Sequence, residues 1–94
     1  MQLSGNTGFS TEQELSAFIV DNFLFGRQTT RLSEDDSFLE RGIIDSTGIL
    51  ELVAFVEGRF QITVEDRELI PDNLDSINRL AAFIRRKQQR PVAV

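Results

Sequence analysis

Three stretches of this chain repeat apolar residues at the helical period, and this pattern limits the fold more than any other feature. Ile49, Leu52, Val53, Val56 and Phe60 fall at i, i+3, i+4, i+7 and i+11, the spacing of one buried helical face. Ile77, Leu80, Ala81 and Ile84 repeat the spacing later in the chain, and Leu15, Phe18, Ile19 and Phe23 give a similar stripe near its start. Each such helix has one apolar face and must bury it against another element. The pattern predicts an all-α fold, a small bundle with the apolar faces turned inward. With 94 residues there is room for one domain over residues 1–94, with a thin core.

Capping residues mark where the helices begin and end. The first should start at Ser10 or Thr11, paired with Gln13 or Glu14 in a capping box. It should stop at Gly26; strand is the competing reading for residues 23–25. The second should run from about Ser46 to Phe60, with Asp45 as its N-cap. Gly48 and Gly58 lie inside it, each weakening it by roughly 1 kcal/mol against alanine. Pro71 suits the start of a short helical turn. The last helix should begin near Asp75 or Ser76 and fray through residues 85–90, because Pro91 cannot continue it cheaply. Phe38, Leu39 and either Ile43 or Ile44 are expected to pin the long connection 27–44 to the core. Residues 1–9 are polar and expected to fray. The ordered core should span about 10–87.

Composition removes most catalytic schemes. The chain has no cysteine and no histidine, so disulfides, thiolate sites and histidine-dependent nucleophilic catalysis are excluded in cis. What remains is carboxylate chemistry, lysine or arginine electrostatics, or chemistry brought in on a borrowed group, and no carboxylate pair is flanked by a recognisable substrate cleft. No run of 18 apolar residues and no basic n-region with an apolar stretch occurs, so neither a membrane span nor a secretory signal is expected, and the expected location is the cytoplasm. The acids at 34–36, 66, 72 and 75 lack the alternation, central glycine and closing Glu of a calcium loop, and no metal site is expected. All 15 acidic residues lie within residues 1–75, against five arginines there. Residues 76–94 hold the other five cations and no acid. The acidic body argues against nucleic acid and for partners with basic patches. Cations at the end of the last helix suit its dipole.

The stretch Gly42-Ile43-Ile44-Asp45-Ser46-Thr47 sets a serine hydroxyl at the start of the best-defined helix. A helix N-terminus has unpaired N–H groups and a partial positive charge, and so favours a phosphate ester. An Asp-Ser pair ahead of a helix is, by itself, an ordinary cap.

The wider context adds a resemblance. Residues 36–53, together with Phe60-Gln61-Ile62, the acidic loop around Glu65-Asp66 and residues 71–77, resemble the acyl carrier proteins, over about residues 10–87 in all. The resemblance implies a four-helix bundle with three longer helices and a short third one. It also implies that Ser46, in an Asp45-Ser46-Thr47 motif, receives 4′-phosphopantetheine from coenzyme A, so that the chain is a non-enzymatic carrier of an acyl thioester. The partners implied are a phosphopantetheinyl transferase, an acyl-loading ligase or transferase, and downstream acyl-processing enzymes of fatty-acid or secondary-metabolite synthesis. These would read Glu40, Ile44, Glu51, Ala54 and Glu57 on a monomeric carrier. Leu50, Ala54 and Phe55 would fill the core edge or line a contact face. The chain departs from the family pattern at Thr47, where leucine is usual, and at Gly48 and Gly58, where acids are common. These departures suggest a specialised carrier. The alternatives are an unmodified helical adaptor and a carrier of aminoacyl or D-alanyl groups.

Overall fold

The computed structural model of the chain describes residues 9–24 and 32–89. Helix α1 spans Thr11–Ile19 and continues as a π-helical turn over Val20–Leu24. Helix α2 spans Ser46–Phe60, a 3-10 turn follows at Asp66–Glu68, α3 is the single turn Pro71–Leu74, and α4 runs Ile77–Gln89. This is the expected all-α bundle of three longer helices and one short third helix. Gly26 and Phe25 lie outside the described residues; Phe23 and Leu24 are helical rather than extended.

Each of the three longer helices starts where the sequence provides a cap. Ser10 Oγ accepts from the Gln13 N–H and Gln13 Oε1 accepts from the Ser10 N–H, closing the capping box of α1. Asp45 caps α2 by accepting from the Gly48 N–H at 2.7 Å. Ser76 Oγ accepts from the Arg79 N–H and opens α4. Gln61 closes α2 in the left-handed conformation, φ 60°.

The core is made by the predicted stripes, two residues of the long connection, and Leu74 and Phe83, which lie in no stripe. Leu15, Ile19, Leu52, Val56, Ile77, Leu80 and Ile84 are buried, joined by Phe38 and Ile44 from that connection. Phe18 stacks on Phe55 with ring centres 4.0 Å apart and meets Phe23 edge-on at 6.0 Å, contacts that add to the burial of the rings. Ion pairs tie the helices at their edges. Arg59 meets Glu14 at 2.5 Å, joining α2 to α1. Arg85 grips Glu12 through two 2.7 Å bonds, joining α4 to α1, and its guanidinium holds the Glu12 carboxyl below its ordinary pKa.

Two expectations are corrected. Helix α4 does not fray after residue 84 but continues to Gln89, because Arg85, Arg86 and Lys87 each have a partner on another element. Leu39 is not a core anchor; it is 45 % exposed, since the turn that buries Phe38 points the next side chain outward.

Gly48 is not a mere weak point in α2. A Cβ there would lie 2.8 Å from Phe23 Cε1 and 3.0 Å from Ile44 Cγ2, so glycine lets the end of α1 pack on the first turn of α2. Gly58 has open space around its Cβ position. The two glycines should therefore respond oppositely to alanine. Gly58→Ala should add about 0.5–1 kcal/mol of stability through helix propensity. Gly48→Ala should lose about 1–3 kcal/mol through overpacking, less what propensity returns. Urea midpoints of the two variants check the sign.

Candidate functional site

Ser46 is the first residue of α2, and the segment before it explains why it faces solvent. Residues 37–44 form a compact turn. The Arg41 N–H donates to Ser37 O, the Gly42 N–H to Leu39 O and the Ile43 N–H to Phe38 O, at 3.0, 3.2 and 2.9 Å. Gly42 takes φ +67°, a conformation that side chains other than glycine adopt at a cost. It reverses the chain so that Ile44 enters the core and Asp45 emerges as the cap.

One carboxylate fastens this turn to the far side of the bundle. Asp75, at the α3–α4 junction and nearly buried, accepts hydrogen bonds from Ser37 Oγ and from the Leu39 N–H, the latter at 3.0 Å. Its backbone oxygen accepts from the Phe38 N–H at 3.0 Å. The sequence marks Asp75 only as a helix start. Its long-range role has no local signature, since its partners lie 36–38 positions away.

The resulting site has two parts, a hydroxyl and a groove. Ser46, Asp45 and Thr47 are exposed, and among the described residues no hydrogen bond engages the Ser46 hydroxyl or the N–H groups of Ser46 and Thr47. Asp45 has already satisfied the Gly48 N–H, and no acid stands in the first turn of α2. The electropositive end of the helix is thus left open to an anionic group.

Beside Ser46 an apolar groove of about 280 Å³ runs between α2 and the segment 69–75, lined chiefly by Leu39, Ile49, Leu50, Leu69, Ile70 and Leu74. Leu39, Leu50 and Ile70 form its rim at 45 %, 61 % and 44 % exposure, and they are three of the four large apolar side chains exposed among the described residues. Such a cluster marks a binding surface rather than scattered surface apolarity. An exposed serine beside an apolar trough offers an anion the helix end and an apolar group the trough.

The family model for a phosphopantetheine attachment site matches residues 24–84, well over half of the chain. The chain belongs to the phosphopantetheine-binding carrier family. The carrier accordingly bears a covalently attached 4′-phosphopantetheine group, whose terminal thiol supplies the thioester chemistry that a cysteine-free chain lacks. A carrier also implies partner enzymes that load and unload it.

The candidate recognition residues are distributed unequally. Glu40, Glu51 and Ala54 are exposed, on the turn before α2 and along α2 itself. Ile44 is buried at 1 %: of its two expected roles it fills that of core anchor, which corrects its place among the residues read by partners, and it packs beneath the first turn of α2, beside Gly48. Glu57 is half-buried and accepts from the Val64 N–H at 2.8 Å, fastening the chain that leaves α2. Of the residues left open between core edge and contact face, Leu50 and Ala54 are exposed and Phe55 is half-buried on Phe18. Leu39 and Ile70 carry no sequence signal as site residues. Only knowledge of which residues surround Ser46 in space could have found them.

Among the described residues, no cluster of three or more acidic side chains is placed to hold a metal ion, and no helix is long and apolar enough to cross a membrane.

Proposed function

We propose that Ser46 is the residue that carries the arm and that the cargo is an acyl group, held as a thioester and sheltered in the adjoining groove. The observation that supports this most is the position of Ser46: an exposed hydroxyl on the first residue of α2, at the mouth of an apolar groove, within the matched region. In this reading the chain's own residues supply attachment and shelter, and no chemistry. Ser46 offers its Oγ to the transferase. The Ser46 and Thr47 N–H groups stabilise the phosphodiester charge. Leu39, Leu50 and Ile70 cover the apolar part of the cargo.

The groove also bears on the class of cargo. Its volume lies at the lower edge of the roughly 300–1,000 Å³ usual for small-molecule sites, which suits a short acyl chain or the first part of a longer one. Asp75 is the one charged residue in the lining, and its carboxylate is already engaged by Ser37 and Leu39. An aminoacyl or D-alanyl ammonium group entering the groove would lose its hydration with no carboxylate free to compensate. An uncharged acyl group is therefore favoured.

A phosphopantetheinyl transferase would load the arm in the cytoplasm, a ligase or acyltransferase would load the acyl group, and acyl-processing enzymes would then dock on the exposed face of α2. Glu40, Glu51 and Ala54 are the residues best exposed for such docking, and the carrier would act as a monomer without catalytic activity. Mass spectrometry after incubation with coenzyme A and a broad-specificity transferase tests the reading. The expected result is one added phosphopantetheine on the peptide that contains Ser46. An unchanged mass would favour the unmodified adaptor instead.

A further inference from the structure

The wall of the groove opposite α2 is a short piece of chain, and α4 holds it in place. The segment 66–74 comprises the 3-10 turn and the single-turn helix α3 and contributes Leu69, Ile70, Pro71 and Leu74 to the groove. Its main packing neighbour is α4; toward α2 the groove intervenes. Elements this short have little stability of their own, so the wall stands where its attachments put it.

Leu74 is buried in the core and Leu69 packs against it, and polar attachments from α4 add to that packing: Arg79 reaches Pro71 O at 3.5 Å and Asp72 at 3.7 Å. Lys87 Nζ donates to both oxygens of Glu68, at 2.9 and 3.1 Å, and the two side chains are only 13 % and 17 % exposed. Arg86 Nη2 donates to Asn73 Oδ1 at 3.1 Å. Within the segment, Asn73 Nδ2 donates to Glu68 O at 3.0 Å, binding the two short turns into one unit. Glu68 Oε1 also accepts from the Glu65 N–H at 2.9 Å, where the turn begins. That N–H and the Lys87 ammonium hold the Glu68 carboxyl below its ordinary pKa.

We propose that the Lys87–Glu68 pair, with the Arg86–Asn73 bond, is a strap that fixes the position of the 66–74 wall, and thereby limits the length of acyl chain the groove shelters. The proposal rests on the groove being the cargo site. It gives the basic end of α4 a specific role, since Arg86 and Lys87 clamp the segment that shapes the groove. Lys87 touches no cargo and acts through the wall, as a positioning residue.

Hydrogen exchange on the unmodified protein tests the strap without any need for the arm. In Lys87→Met the amides of Leu69, Ile70, Leu74 and Asp75, all bonded within the segment, should exchange about tenfold faster, the loss of one charge-assisted hydrogen bond. Those of Leu52 and Val56 in α2 should not change. Glu68→Gln keeps the bond to the Glu65 N–H but loses the charge, and should loosen the same amides. Lys87→Arg should restore them. Arg85→Met removes a cation from the same helix but one bonded to Glu12, and should leave the segment unchanged. The second measurement loads the arm with acyl groups of increasing length and follows thioester cleavage by hydroxylamine. Wild type should protect chains up to a limiting length, and Lys87→Met should move that limit to longer chains. Equal acceleration of exchange throughout the protein, none in the segment, or an unchanged length limit would each overturn the proposal. A chain that takes no arm at Ser46 would instead refute the assignment of Ser46, and the exchange data would still decide the strap.

Discussion

Ser46→Ala should gain no phosphopantetheine under conditions that modify the wild-type chain completely, while its unfolding midpoint stays where it was. The two halves of this result have separate causes. The arm is joined through a phosphodiester, which needs an oxygen, and alanine has none. Stability should be conserved because the hydroxyl does no structural work: Ser46 is exposed, and the cap of α2 is Asp45, whose carboxylate takes the Gly48 N–H. A surface change that removes no cap and no buried contact lies within about ±0.5 kcal/mol. Alanine is also a good residue for the first turn of a helix. Intact-mass measurement reads the first half and urea unfolding the second. Modification that persisted in the alanine variant would show that another hydroxyl, with neighbouring Thr47 the first to examine, carries the group.

The second large effect is on stability and comes from a residue outside every helix. Phe38→Ala should cost about 3–5 kcal/mol, the range for emptying a buried aromatic site. A domain of this size has only about 5–15 kcal/mol in all. The variant should therefore lose a large share of its stability and show a much lower urea midpoint. The side chain is fully buried in the core cluster. The backbone of the same residue accepts from the Ile43 and Ile44 N–H groups and donates to Asp75 O. Removing the ring therefore loosens the turn that presents Asp45 and Ser46. Loading by the transferase should fall along with stability, although Phe38 touches no substrate. Leu39→Ala is the control. This neighbour in sequence is 45 % exposed, and its truncation should change stability little. A midpoint for Phe38→Ala equal to that of Leu39→Ala would contradict the anchoring role.

Both predictions meet in one physical arrangement. The core of the bundle ends at Phe38 and Ile44, and the open N-terminal end of α2 begins immediately beyond them. A rigid turn between the two delivers a serine to solvent while its neighbours stay buried. The groove beside it exists because α3 packs on α4 rather than closing against α2. The arrangement that keeps this fold thin is therefore also the one that leaves the groove open.

Much of this was legible in the chain itself, because helix formation is governed by local patterns. The stripes of α1, α2 and α4 follow from the 3.6-residue period, and their starts from Ser10, Asp45 and Ser76, whose side chains satisfy N–H groups within a few positions. The place of Ser46 at a helix tip follows from the same local rules. Other features were settled only in three dimensions, because they depend on which distant residue arrives at a given point. Periodicity could not show that Gly48 is small to admit Phe23, or that Ile44 lies under α2 rather than on it. Nor could it show that Leu39, Leu50 and Ile70 meet around Ser46, or that Asp75 fastens a turn 36 residues earlier. The length of α4 belongs with these: its cations persist as helix because Glu12, Asn73 and Glu68 come to meet them. Local spacing determined the helices, and packing between residues far apart in sequence decided which of their faces became core, groove or strap.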